Sequence, residues 1–119
     1  MTTTCPLWPD QGQVKLNGSG AGTVRLGPTG HGVVWTLGAI SVKTAQVVST
    51  GVCTCNIYVG DDASATNFLD GTFSGDTGDA TSRASGQQIR SNKYVFAVWS
   101  GGVANDLATL TLTGTMEVP

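Results

Sequence analysis

Charge is what this 119-residue chain has least of: Asp, Glu, Lys and Arg together make up 12% of it, about half the usual globular share. The six basic residues, Lys15, Arg25, Lys43, Arg83, Arg90 and Lys93, are spread singly along the chain. There is thus no basic stripe of the kind nucleic-acid binders carry, and a net charge of −2 gives little long-range steering. No window repeats apolar residues at helical spacing between caps, no internal repeat is present, and no apolar run approaches the length of a membrane span. The opening residues Met1 to Asp10 lack the basic and apolar regions of a signal peptide, which implies a protein made and kept in a cytoplasm. Cysteine is scarce too. Cys5, Cys53 and Cys55 are an odd set, unlike a disulfide framework. Cys53 and Cys55 share one face of a strand-like run and are badly placed to bridge each other. With His31 the only histidine, zinc ligands are missing. The thiols are expected to be buried as small apolar groups, with no metal and no cofactor.

What the chain has is β structure. From Asp106 to Val118, Ala108, Leu110, Leu112, Met116 and Val118 fall on even positions, and Thr109, Thr111, Thr113, Thr115 and Glu117 on odd ones. Strand side chains alternate faces with a period of two, so this is a long strand with one dry face and one threonine-coated face. Gly114 keeps the phase, which marks a bend or close backbone approach. Shorter runs with turn signals between them precede it: 13–17, 22–27, 53–59, 67–73, 87–90 and 93–99. Gly32 to Thr44 reads as two strands or one strand bent around Gly38. Ser91-Asn92 reads as a hairpin turn, and Gly18 to Gly22 as a flexible hairpin tip. About eight strands in one domain of this size imply two packed sheets, because a single open sheet would leave an apolar face wet. The expected fold is all-β, a two-sheet antiparallel sandwich of jelly-roll type. It occupies residues 13–119, behind an extended N-terminal arm at residues 1–12, where Pro6 and Pro9 disfavour a helix.

Chemistry-bearing residues form no reactive set. The nucleophile-elbow, phosphate-loop and EF-hand spacings are all missing, and His31 lies in a Pro/Gly turn. Asp61, Asp62, Asp70, Asp76 and Asp79 lie in a polar, turn-rich stretch. There they read as turn caps, with a structural cation as the alternative. Two features suggest an interface instead. Leu7 and Trp8 form an apolar pair on the Pro-flanked arm, which either docks on a neighbour or folds onto its own domain. Tyr94, Phe96 and Val98 share one face of a strand whose other face carries Val95, Ala97 and Trp99. A strand apolar on both faces is buried on both, against a partner or under a loop. Leu7, Trp8, Val95 and Trp99 are the candidate interface residues.

The stretch from Val33 to Thr115 resembles a recurring type of small virion protein of tailed bacteriophages, particularly those of actinobacteria. The matching pieces are Gly32-Val33-Val34-Trp35 leading to Ile40-Ser41-Val42, then Cys55-Asn56-Ile57-Tyr58-Val59-Gly60 and Leu69-Asp70-Gly71-Thr72-Phe73-Ser74-Gly75-Asp76. The Val98-Trp99-Ser100-Gly101-Gly102 turn and the Ala108 to Thr115 strand complete them. The resemblance implies a structural role in the particle and carries over no functional residues. The expectation is a non-enzymatic virion protein, a capsid decoration or cement protein that binds the major capsid protein and copies of itself, with a trimer among the possible homo-oligomers. It involves neither nucleic acid nor membrane. A tail or head–tail component and a carbohydrate-binding sandwich module are the rival readings; exposed coplanar aromatics in a groove would favour the latter.

Overall fold

A computed structural model describes residues 3–6, 10–28, 30–45, 53–72 and 79–119. Its strands are β1 (Thr3–Pro6), β2 (Asp10–Lys15), β3 (Gly22–Leu26), β4 (Val34–Thr44), β5 (Thr54–Gly60), β6 (Phe68–Thr72), β7 (Asp79–Thr81), β8 (Gln88–Ile89), β9 (Tyr94–Ser100) and β10 (Leu107–Val118). They form two antiparallel sheets packed as a sandwich. In sheet A the long β10 pairs with β4 on one side, and β4 pairs in turn with β7 and β8. On its other side β10 pairs with β2 over Leu107 to Leu112 and with β1 over Thr115 to Val118. Sheet B runs β3-β9-β5-β6.

The closing strand behaves as its alternation dictates. Ala108, Leu110 and Leu112 are fully buried, and Val42 and Ile40 lie opposite the two leucines on β4. Thr109 and Thr111 face outward, where Gln13 and Gln11 of β2 each donate an amide hydrogen bond of 3.2 Å to the hydroxyl. These amides cover part of the threonine face, so Thr109 is buried rather than wet. Met116 and Val118 are only half-buried, because the inner face of sheet A is less covered beyond Gly114.

Residues 34–44 are one bent strand. Leu112 pairs with Ile40 but Gly114 pairs with Leu37, so Thr113 alone faces two residues of β4, Gly38 and Ala39. This bulge reverses the phase of β4: Trp35 and Leu37 point inward before it, Ile40 and Val42 after it. The Thr113 hydroxyl accepts the Ala39 N–H at 3.0 Å and satisfies the donor that the bulge removes from the ladder.

Three local expectations are corrected. Ser91-Asn92 is a turn but not a hairpin, since β8 pairs with β4 in sheet A and β9 belongs to sheet B. Asn92 supplies the left-handed residue there, at φ 72°, a conformation asparagine tolerates. The 18–22 tip likewise joins different sheets and is tied down, its Asn17 Oδ1 accepting the N–H groups of Ser19 and Ala21 at 2.9 and 3.1 Å. Finally, Thr3–Pro6 and Asp10–Lys15 are edge strands of sheet A, so residues 3–6 and 10–12 belong to the sandwich rather than to a separate arm.

Candidate functional site

The interface residues named on β9 lie on the wrong side of the strand. Val95 and Trp99 are 0% exposed, because they share the inward face with Val59 and Cys55, their partners on β5. The opposite face of the same strand carries Tyr94, Phe96 and Val98; Tyr94 and Val98 are half-exposed, while Phe96 is buried beneath its neighbours on that face. Leu7 and Trp8 lie outside the described residues.

That outer face of sheet B carries an ordered row of rings. Arg25 on β3 pairs with Phe96 on β9, Phe96 with Tyr58 on β5, and Tyr58 with Phe68 on β6. Tyr58 and Phe68 meet edge to face, with centroids 5.7 Å apart and planes at 74°. Tyr94 and Phe96 do the same at 5.8 Å and 67°. The Arg25 guanidinium sits 4.5 Å from the Tyr94 ring centroid, a cation–π contact that fixes both groups. Phe68 is 50% exposed. Such pairs each contribute about 0.5–1.5 kcal/mol beyond area burial, so the rings hold one another in place. The neighbouring row is Thr23, Val98, Asn56 and Gly71, and past it the Thr54 and Ser100 hydroxyls lie 3.0 Å apart.

A second apolar surface lies at the far end of sheet A. Cys5, Met116, Trp35 and Ile89 stand side by side across β1, β10, β4 and β8. Trp35 and Ile89 are buried, while Cys5 and Met116 are half-exposed, as are Val33 and Val118 nearby. Trp35 Nε1 is buried without a hydrogen-bond partner among the described residues. Burying an unmatched donor costs about 1–3 kcal/mol.

The described carboxylates Asp61, Asp62 and Asp70 are engaged by neighbouring side chains and turn N–H groups. Asn67 donates to Asp62 Oδ1 at 2.9 Å and to Asp61 Oδ1 at 3.3 Å. Asp61 also pairs with Lys93 at 3.8 Å. Hydrogen bonds from Ser64, joined by Asn67 and the nearby Lys93 charge, hold the exposed Asp62 carboxyl below its usual range. Asp70 accepts the Gly71 N–H at 2.9 Å and lies 3.6 Å from Arg83. The Asp61–Lys93 pair is exposed and the Asp70–Arg83 pair has an exposed arginine, a setting in which such pairs contribute little. Asp76 lies outside the described residues, and His31 is an exposed turn residue. Among the described residues no group of three or more His, Cys, Asp or Glu side chains is arranged to hold a metal ion, and no helix is long and apolar enough to cross a membrane.

Cys53 and Cys55 are fully buried beneath sheet B, Cys5 is half-buried, and none of the three is in a disulfide. Burial, reinforced by the neighbouring Cys53, pushes the Cys55 thiol from 9.0 up to about 12. The folded protein therefore keeps its proton where the unfolded chain loses it, and the thiol's contribution to stability falls as pH rises between about 9 and 12. Thiol titration of the native protein at neutral pH is expected to show Cys53 and Cys55 unreactive, with three thiols released on denaturation without reductant. A Cys53–Cys55 pair that reacts at once in the native state would contradict this burial.

Fold and surface together define a small all-β sandwich that presents two apolar surfaces and no clustered reactive groups among the described residues. Comparison of the chain with family models, with curated proteins and with solved structures finds no match in any of the three.

Proposed function

We propose that this protein is a non-enzymatic structural component of a bacteriophage particle, a decoration or cement protein bound to the major capsid protein, and that its sandwich is a jelly roll. The strand orders β2-β10-β4-β7 and β3-β9-β5-β6 support the jelly roll, because they are the pairing of two interleaved Greek keys. Architecture alone does not assign a role. The observation that carries the role is the unfinished end of sheet A. There β10 and β4, at 12 and 11 residues, are longer than any strand of sheet B. Their inner face ends in the half-exposed Met116, with Cys5, Val33 and Val118 beside it. A partner that covers this end buries the half-exposed apolar side chains of Cys5, Val33, Met116 and Val118. The Pro-flanked Leu7-Trp8 pair follows β1 directly in the chain and is the natural anchor. The resemblance to small virion proteins of tailed phages points the same way.

Attachment built this way depends on apolar burial and backbone pairing, since charges are few. Binding of purified protein to undecorated particles is expected to survive a rise in salt that shortens the screening length from about 10 Å to about 3 Å. Trp8→Ala is expected to weaken it by about 2 kcal/mol, as for a buried interface tryptophan. Loss of binding in high salt, with Trp8→Ala indistinguishable from wild type, would refute the apolar anchor.

A further inference from the structure

The outer face of sheet B is more apolar than a water-facing sheet needs to be, and its chemistry is graded. One row is aromatic with a cation at its end, Arg25–Phe96–Tyr58–Phe68; the next is an amide and a hydroxyl around a valine, Thr23–Val98–Asn56–Gly71. Between Phe68 and Asn56 stands Gly71, which has no side chain. A Cβ added at Gly71 would lie 3.0 Å from Asn56 Oδ1 and 3.5 Å from Phe68 Cζ, so the bare glycine leaves a notch with a ring on one side and an amide on the other. The geometry points to a glycan-binding site at this notch, with the Phe68 ring packing on the C–H face of a sugar and Asn56 bonding its hydroxyls.

Three features select a sugar over a protein partner. The first is size. Four strands about 4.8 Å apart and five to seven residues long at about 3.3 Å each give a footprint of roughly 300–450 Å². A stable protein interface takes about 800 Å² from each side, whereas a short oligosaccharide fits within this face. The second is the pairing of an apolar ring with hydrogen-bonding groups, which matches a pyranose, apolar on one face and hydroxylated at its rim. A protein interface core would instead be apolar at the centre and polar around its border. The third is charge. The strand positions of this face carry one charged group, Arg25, and it has no carboxylate partner among the described residues. Its donors are open to a sugar hydroxyl or to the carboxylate of an acidic sugar.

The ring geometry narrows the ligand further. Tyr58 and Phe68 stand at 74° to each other rather than coplanar, so they form a corner and not a flat strip. A corner holds one sugar ring against one aromatic ring, which suits a terminal residue or short oligosaccharide and not the flat surface of a crystalline polysaccharide. Edge-to-face packing also fixes the rings before binding, which lowers the ordering cost. This site is separate from the end of sheet A and does not depend on a capsid role.

The test is titration of the full chain by isothermal calorimetry or NMR with neutral gluco-, galacto- and manno-oligosaccharides and with sialylated and uronic-acid oligosaccharides. Saturable binding is expected to at least one of them. Phe68→Ala should weaken it at least tenfold, Asn56→Ala about fivefold, and Gly71→Ala several-fold by filling the notch. Asn56 is exposed, so Asn56→Ala should keep the wild-type thermal transition, and Phe68→Ala, which loses one edge-to-face pair, should lower it by only a few degrees and remain folded. Arg25→Ala should weaken an acidic ligand far more than a neutral one, which separates the two sources. Leu107→Ala removes a side chain 46% exposed on sheet A and should leave glycan binding unchanged. No binding to any of these sugars overturns the proposal, as does binding that Phe68→Ala and Asn56→Ala leave intact. If Phe68→Ala abolishes particle attachment or self-association while no sugar binds, the face is a protein contact and the proposal fails.

Discussion

Trp99→Ala is expected to remove about 3–5 kcal/mol of stability. Trp99 is among the largest fully buried side chains. It stands on the inner face of β9, with Cys55 opposite it on β5 and Gly22 opposite on β3. Both neighbours are small, so truncation leaves a cavity that they cannot refill, and the lost transfer energy adds to the cavity cost. Since a domain of this kind has a total of about 5–15 kcal/mol, the variant should be near its folding limit. Denaturant unfolding measures this directly, as a lowered midpoint at an unchanged slope. A loss below about 1 kcal/mol would mean that Trp99 is not in the core and that sheet B has been assigned the wrong inner face.

Gly114→Ala should be comparably damaging, at about 3 kcal/mol or more, for a reason unrelated to burial. Gly114 has φ 143°, and an added Cβ would meet the Thr36 carbonyl oxygen at 2.1 Å and the Gly38 nitrogen at 2.9 Å. Both obstacles are backbone, so no rotamer change relieves them; β4 and β10 would have to separate at the bulge. Gly18→Ala is the control, as nothing among the described residues lies within 4 Å of its added Cβ. It should shift stability by less than about 0.5 kcal/mol. Equal effects of the two substitutions would remove the bulge as the point where sheet A is pinned.

These two residues show how far the sequence could be read. The dry face of β10 was legible because Ala108, Leu110 and Leu112 alternate with threonines, and alternation is a local property. The bulge was half legible. Gly38 marked a bend, and the shift from odd inward residues, Trp35 and Leu37, to even ones, Ile40 and Val42, encodes the extra residue. On β9 the pattern was silent, because Tyr94 to Trp99 is apolar on both faces, and the registers with β3 and β5 decide which face is inward. The same limit misassigned Ser91-Asn92: turn chemistry fixes a reversal but not whether the flanking strands pair with each other. β1 and β7 are four and three residues long, largely polar, and exist only as edges added to longer strands. The ring row on sheet B was invisible for a related reason. Arg25, Tyr58, Phe68 and Phe96 are scattered through the sequence and meet only through the order of strands.

The capsid role is tested most directly by determining whether the protein occupies the shell. Electron cryo-microscopy of particles lacking the protein, before and after addition of the purified full chain, should show new density at regular, symmetry-related sites on the major capsid protein. In that density the β1 end of sheet A should face the shell and the outer face of sheet B should face solvent. Particles that gain no density, or native virions from which the protein is absent, would contradict the account.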